Sequence, residues 1–144
     1  MSELVIGIDI GTGSTKGVLS DTQGNVLYSE VVRHDTSFPK PGWAEHDPDE
    51  VWWQDVVEIC RRLATRAKGD VAGLCISGIG PVFLAADERG GALRPAILYG
   101  VDPRSALEID ELTERYGADR VLEVCGNGMT SQSVGPKIEW VKRN

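Results

Sequence analysis

The stretch LVIGIDIGTGSTKGVLSD, residues 4–21, decides the fold. Its first seven residues, Leu4 to Ile10, are β-branched and apolar except at Gly7 and Asp9, which predicts a buried strand. Gly11-Thr12-Gly13-Ser14 then supplies a tight turn, and residues 15–20 return to strand character. Asp21-Thr22-Gln23-Gly24-Asn25 forms a second cluster of turn residues, after which strand character resumes from Val26 to Arg33. Strand, tight turn, strand, turn, strand is an antiparallel meander, not a βαβ unit.

The glycine-rich turn invites three phosphate-binding readings, which geometry separates. A dinucleotide fingerprint needs Gly-x-Gly-x-x-Gly opening a helix, whereas here the third glycine, Gly17, arrives one residue late and a strand follows. A P-loop needs a Gly-Lys-Ser/Thr triplet, and the chain has none. What remains is a hairpin whose turn amides, with the Thr12, Ser14 and Thr15 hydroxyls, can donate to phosphate oxygens. Asp9 would then supply a hard oxygen toward Mg²⁺ through water, and Lys16 a positive point charge. The alternative is that residues 11–14 only close a hairpin that Asp9 caps. An aspartate inside an apolar strand favours the ligand, because a buried carboxylate needs a metal, a cation or several donors.

Downstream, residues 37–48 hold three prolines and no hydrophobic period, which predicts a surface loop. A helix should follow, with Asp47 as its cap, Pro48 at its first position and Glu50 where a capping-box acid belongs. Trp52, Val56, Ile59, Leu63 and Ala67 make one apolar face, so the helix is expected to run to about Lys68 and stop at Gly69. Strands are expected at residues 71–77, 82–86 and 95–99, and helices at 106–116, 119–125 and 135–143. The class is mixed α/β. The length of 144 residues suits one domain with a sizeable core.

Charge narrows the partners. With 22 acidic against 15 basic side chains and a net charge of −7, the chain lacks the basic clusters that nucleic acid or an anionic membrane surface requires. Its three cysteines, Cys60, Cys75 and Cys125, are too widely spaced for a zinc or redox motif, and residues 4–10 are neither a secretory signal nor a membrane span. A cytoplasmic location is the expectation. His34 and His46 lack a third ligand at metal spacing. Lys137 and Trp140 fit an amphipathic helix, where packing and a solvated face account for them.

Four ordered segments carry a family resemblance. IGIDIGTGSTKGVLSD is similar to the first phosphate motif of the actin-like ATPase superfamily and, more narrowly, of the FGGY carbohydrate kinases. PGWAEHDPDEVWW, RPAILYGVDPR and TSQSVGPKIEWVKRN resemble further segments of that family, in the same order. The resemblance implies a ribonuclease-H-like (actin-like ATPase) fold, a mixed sheet with an antiparallel front meander and flanking helices. Residues 1–144 would be the N-terminal portion of the first kinase domain, with its second half and the C-terminal domain absent and the domain incomplete. It implies ATP and Mg²⁺ as cofactors, with Asp9 on the metal side and Thr12, Gly13, Ser14 and Lys16 facing phosphate. The general base, an aspartate later in that domain, would lie beyond residue 144, so the chain is expected to be inactive alone. The substrate would be a small sugar or polyol, and a homodimer is one assembly considered.

The acceptor side departs from better-known members. Glycerol kinases carry an Arg-Glu pair and xylulose kinases a Met-His pair where this chain has Ile79-Gly80-Pro81-Val82. Hydroxyl recognition there would therefore come from backbone, at Gly80 and Pro81, or from elsewhere. Tyr99 stands in place of the usual tryptophan, as a sugar-facing wall or as core. Asp102, before Pro103, would accept a polyol hydroxyl or start the next helix. Two rivals remain: a non-catalytic actin-like nucleotide-binding or scaffold domain, and a dinucleotide oxidoreductase, which the strand after Lys16 disfavours.

Overall fold

A computed structural model describes residues 3–144. The chain divides into two compact units, one made of the residues up to Thr36 with Asp47–Ile79, the other of Ser37–His46 with Gly80–Asn144.

In the first unit the meander forms as the turn residues predict. Strands β1 (Leu4–Ile10), β2 (Ser14–Asp21) and β3 (Val26–Arg33) pair antiparallel, and β5 (Val71–Gly78) lies parallel to β1, giving the order β3-β2-β1-β5. Strand alternation sends Leu4, Ile6 and Ile8 of β1, with Leu19 of β2, to one face. There they pack against Val56, Ile59 and Leu63 of helix α1 (Gln54–Ala64). Each such side chain, once buried, contributes about 1.5–3 kcal/mol. Gly17 belongs to this packing and not to a phosphate site: a Cβ there would stand 2.2 Å from Ile59 Cγ2.

The same alternation corrects the reasoning about Asp9. Val5, Gly7 and Asp9 point to the face that α1 does not cover, and Asp9 is exposed. No desolvation penalty demands a partner there. The helix start follows expectation in its cap, with Asp47 Oδ1 accepting from the Asp49 and Glu50 amides at 2.9 Å each, and Pro48 in first position. It departs in form, because Pro48–Trp53 winds as a wide π-helical turn before α1 begins. The helix also stops earlier than the apolar period suggests. The Thr65 hydroxyl bonds the Arg62 carbonyl at 2.7 Å, and Arg66 N turns to Leu63 O, tightening the last turn.

In the second unit, part of the expected surface loop is pinned. Glu45–His46 forms β4, which pairs antiparallel with β6 (Ala96–Ile97), and Ala44, Glu45 and His46 are buried. Residues 82–86 contribute only single bridges, Phe83 to Ile97 and Ala86 to Ala92, in place of the expected strand. The helices α2 (Ala106–Tyr116), α3 (Ala118–Cys125) and α4 (Val134–Arg143) begin and end within one residue of expectation. Gly117 and Gly126, at φ 82° and 77°, end α2 and α3 where a side chain would be strained.

Candidate functional site

The register of the first unit gathers three polar groups at the end of β1. Asp9 faces Lys16 across the antiparallel pair and Ser77 across the parallel pair, so all three side chains share the uncovered face. The Ser77 hydroxyl donates to Asp9 Oδ1 at 2.8 Å. Asp9, Lys16 and Ser77, with Gly7 and Cys75 as floor, line a hollow of about 300 Å³. Lys16 is exposed.

The glycine-rich turn closes beside it, with Gly11 N bonding Ser14 O at 2.9 Å. Gly11 eases that closure, because a Cβ there would stand 3.0 Å from Ser14 O. A Cβ on Gly13 would meet nothing within 4 Å, so the turn is open on that side. Thr12 and Ser14 are half-buried. Thr15 is a correction: its side chain lies on the inner face, fully buried, and donates to Asp55 Oδ2 at 2.7 Å instead of facing a phosphate.

Two residues to which the sequence assigned no part in this turn support it. The His34 ring contacts Asp55 Oδ2 through Nδ1 at 2.6 Å and Gly11 O through Nε2 at 3.1 Å. Asp55 lies three residues after Trp52 and four before Ile59, so a carboxylate on the buried stripe of α1 was the available signal. Ser77 was visible only through strand register.

The donor set fits Mg²⁺ held by one carboxylate, water and ligand phosphates, with Asp9 as that carboxylate. An all-protein cage does not fit: no group of three or more His, Cys, Asp or Glu residues that could hold a metal occurs among the described residues.

The residues expected on the acceptor side lie in the second unit. Gly80 and Pro81 are exposed, and Tyr99 is half-buried. Asp102 is fully buried, and its oxygens are engaged. Oδ2 accepts from Ala44 N at 2.7 Å and from Arg104 Nη2 at 2.5 Å, and Oδ1 from Arg104 N and Nε at 3.0 and 2.9 Å. Enclosed in this way, Asp102 has no face for a polyol hydroxyl, and it does not cap α2, whose cap position is Ser105. Burial pushes the Asp102 carboxyl up, but the bonds from Arg104 and Ala44 outweigh it and hold the group below its ordinary value.

Arg104 in turn donates to Glu45 Oε1 at 2.6 Å, and its guanidinium lies 4.0 Å from the Trp43 ring centre and 5.2 Å from that of Trp140. Lys137 corrects a further expectation. It is fully buried, donates to the Ser131 carbonyl, and burial pushes its ammonium down.

The profile of the N-terminal domain of the FGGY family of carbohydrate kinases matches residues 4–144. The chain belongs to that family. It is 37% identical to the xylulose kinase of Escherichia coli over 144 residues, covering 98% of this chain and 28% of that protein. It is 28% identical to the glycerol kinase of Leifsonia xyli subsp. xyli over 146 residues, covering 100% of this chain and 29% of that protein. The crystal structure of xylulose kinase from Rhodospirillum rubrum superposes with a TM-score of 0.91 at 34% identity, over 99% of this chain and 29% of that one. The FGGY chain thus has the actin-like ATPase fold of the sugar kinases and spans about 29% of the length of these relatives. Among its described residues, no helix is long and apolar enough to cross a membrane.

Proposed function

We propose that the protein transfers the γ-phosphoryl group of ATP to a hydroxyl of a sugar or polyol. The observation that supports this reading is the grouping of Asp9, Lys16 and the open Gly11–Ser14 turn on one uncovered end of the sheet. Phosphoryl transfer depends mainly on positioning and charge stabilisation. Backbone amides at Thr12, Gly13 and Ser14 cradle phosphate oxygens, and Lys16 offsets their charge. Asp9 orients Mg²⁺, which when bound neutralises charge that develops on the phosphates. Ser77 holds Asp9 by its hydroxyl.

On the acceptor side the reading assigns Gly80, Pro81 and Tyr99 and drops Asp102, which is sealed by Arg104. The relatives bear two substrate names, xylulose and glycerol, and the chain carries neither polar pair linked to those names. The substrate is therefore assigned only as a small polyhydroxy compound. The deciding experiment is an ADP-release assay of the full-length protein with Mg-ATP against ketoses, aldoses, polyols and deoxy-sugars. Sugar-dependent release with at least one class supports the proposal; ADP release indifferent to every acceptor would overturn it.

A further inference from the structure

The turn between β1 and β2 is held at three successive carbonyls. Gly11 O meets His34 Nε2 at 3.1 Å, Thr12 O accepts from the Thr36 hydroxyl at 3.3 Å, and Gly13 O accepts from the His34 amide at 3.3 Å. In a trans peptide the carbonyl of one residue and the amide of the next point in opposite directions. The amides of Thr12 and Gly13 therefore face away from the His34 ring and the Thr36 hydroxyl that hold the preceding carbonyls, an orientation suited to an anion, while Gly13 O, by accepting from His34 N, extends the β2–β3 ladder past the Ser14–Arg33 pair.

The His34 ring is the part of this grip with a chemical requirement. A carbonyl oxygen only accepts, so Nε2 must carry a proton to bond Gly11 O. Nδ1 lies 2.6 Å from Asp55 Oδ2, an oxygen that already accepts the Thr15 hydroxyl. A neutral ring protonated at Nε2 would set the Nδ1 lone pair against that carboxylate; the other tautomer would set the Nε2 lone pair against the carbonyl. Side-chain exposure is only 6% for His34 and 8% for Asp55, so bulk solvent screens either clash poorly.

We propose that His34 is a positioning residue for the phosphate turn, acting as a doubly donating imidazolium that ties Gly11 O to Asp55 of α1. Its neighbours fit that role. Asp55 supplies the opposite charge, Thr15 fixes the carboxylate from β2, and the wide turn before α1 leads directly into the segment that carries Asp55. The imidazolium itself is independent of the function proposed above; only its effect on nucleotide rests on that reading.

The test has two arms on the full-length protein. In the first, ¹⁵N-histidine NMR at neutral pH reads the protonation of each ring, with His34 assigned by its loss in His34→Gln. Two protonated nitrogens support the proposal, and one bare nitrogen overturns it whatever the protein binds. In the second, His34→Ala raises KM for ATP about tenfold with KM for the sugar unchanged, and His34→Gln, whose amide still reaches Gly11 O, restores most of the loss. A KM for ATP within about twofold of wild type in His34→Ala would overturn the positioning role. If wild type shows no saturable response to ATP, the nucleotide reading fails, and the NMR arm alone decides the clamp. Should a variant fail to fold, the wild-type spectrum decides, with its ring signals sorted by through-bond correlation to the His34 backbone.

Discussion

The carboxylate at the end of β1 is exposed and takes one hydroxyl bond, whereas the carboxylate in the loop before α2 is sealed and takes bonds from Ala44 and Arg104. Asp9 keeps acceptor capacity for something outside the chain, and removing it should disturb the fold little. Asp102 directs all of its capacity inward, and the chain around it is built on that ion pair. Burial and bond count, more than residue type, separate a group that can serve a ligand from one that serves the fold.

The sharpest way to break this comparison is Asp102→Ala. It leaves the Arg104 guanidinium, 1% exposed, without its main partner and should destabilise the chain by about 3–5 kcal/mol in urea unfolding. Unchanged stability with a raised KM for the sugar would return Asp102 to the acceptor role. Asp9→Asn should do the reverse: turnover of the full-length protein falls about 100-fold or more, while its melting temperature stays where it was. A large drop in melting temperature would show that Asp9 belongs with Asp102.

Gly17→Ala is expected to destabilise by about 1–3 kcal/mol, because its Cβ would collide with Ile59. In an Ile59→Ala background, which lacks Cγ2, Gly17→Ala should cost less in a double-mutant cycle, and strict additivity would contradict the close approach. The smallest effect is on pH. The folded state holds the Asp102 carboxyl below its ordinary value of 3.8, so its stabilisation is complete above about pH 5 and is lost as pH falls through the lower, folded value. Urea midpoints taken from pH 6 downward should fall less steeply in Asp102→Asn than in wild type once their different plateaus are matched.

The meander was legible because its turns are dense in Gly, Asn and Asp and its strands are β-branched, and both signals are local. The helices were legible for the same reason, with Gly117 and Gly126 marking two of their ends. What could not be read was set by pairing across long separations. Asp9 lies on the open face because of strand register, and Ser77 reaches it only through the parallel pairing of β1 with β5. Thr15 and Lys16, adjacent in sequence, go to opposite faces, which splits the apparent phosphate turn into an outward part and a structural part. Ala44 is drawn inward by a carboxylate 58 residues away, a contact that no proline-rich loop announces.

The wide turn at Pro48–Trp53 also sets an angular phase. It accommodates more residues per turn than an α-helix, and each residue of an α-helix advances by about 100°. Six residues at the wider pitch sweep nearly the same angle as five at α-helical pitch, so deleting one residue between the Asp47 cap and α1 would let an ordinary turn form while the stripe of Val56, Ile59 and Leu63 keeps its bearing on the cap. The segment is the place along this helix where a one-residue change of length can be absorbed.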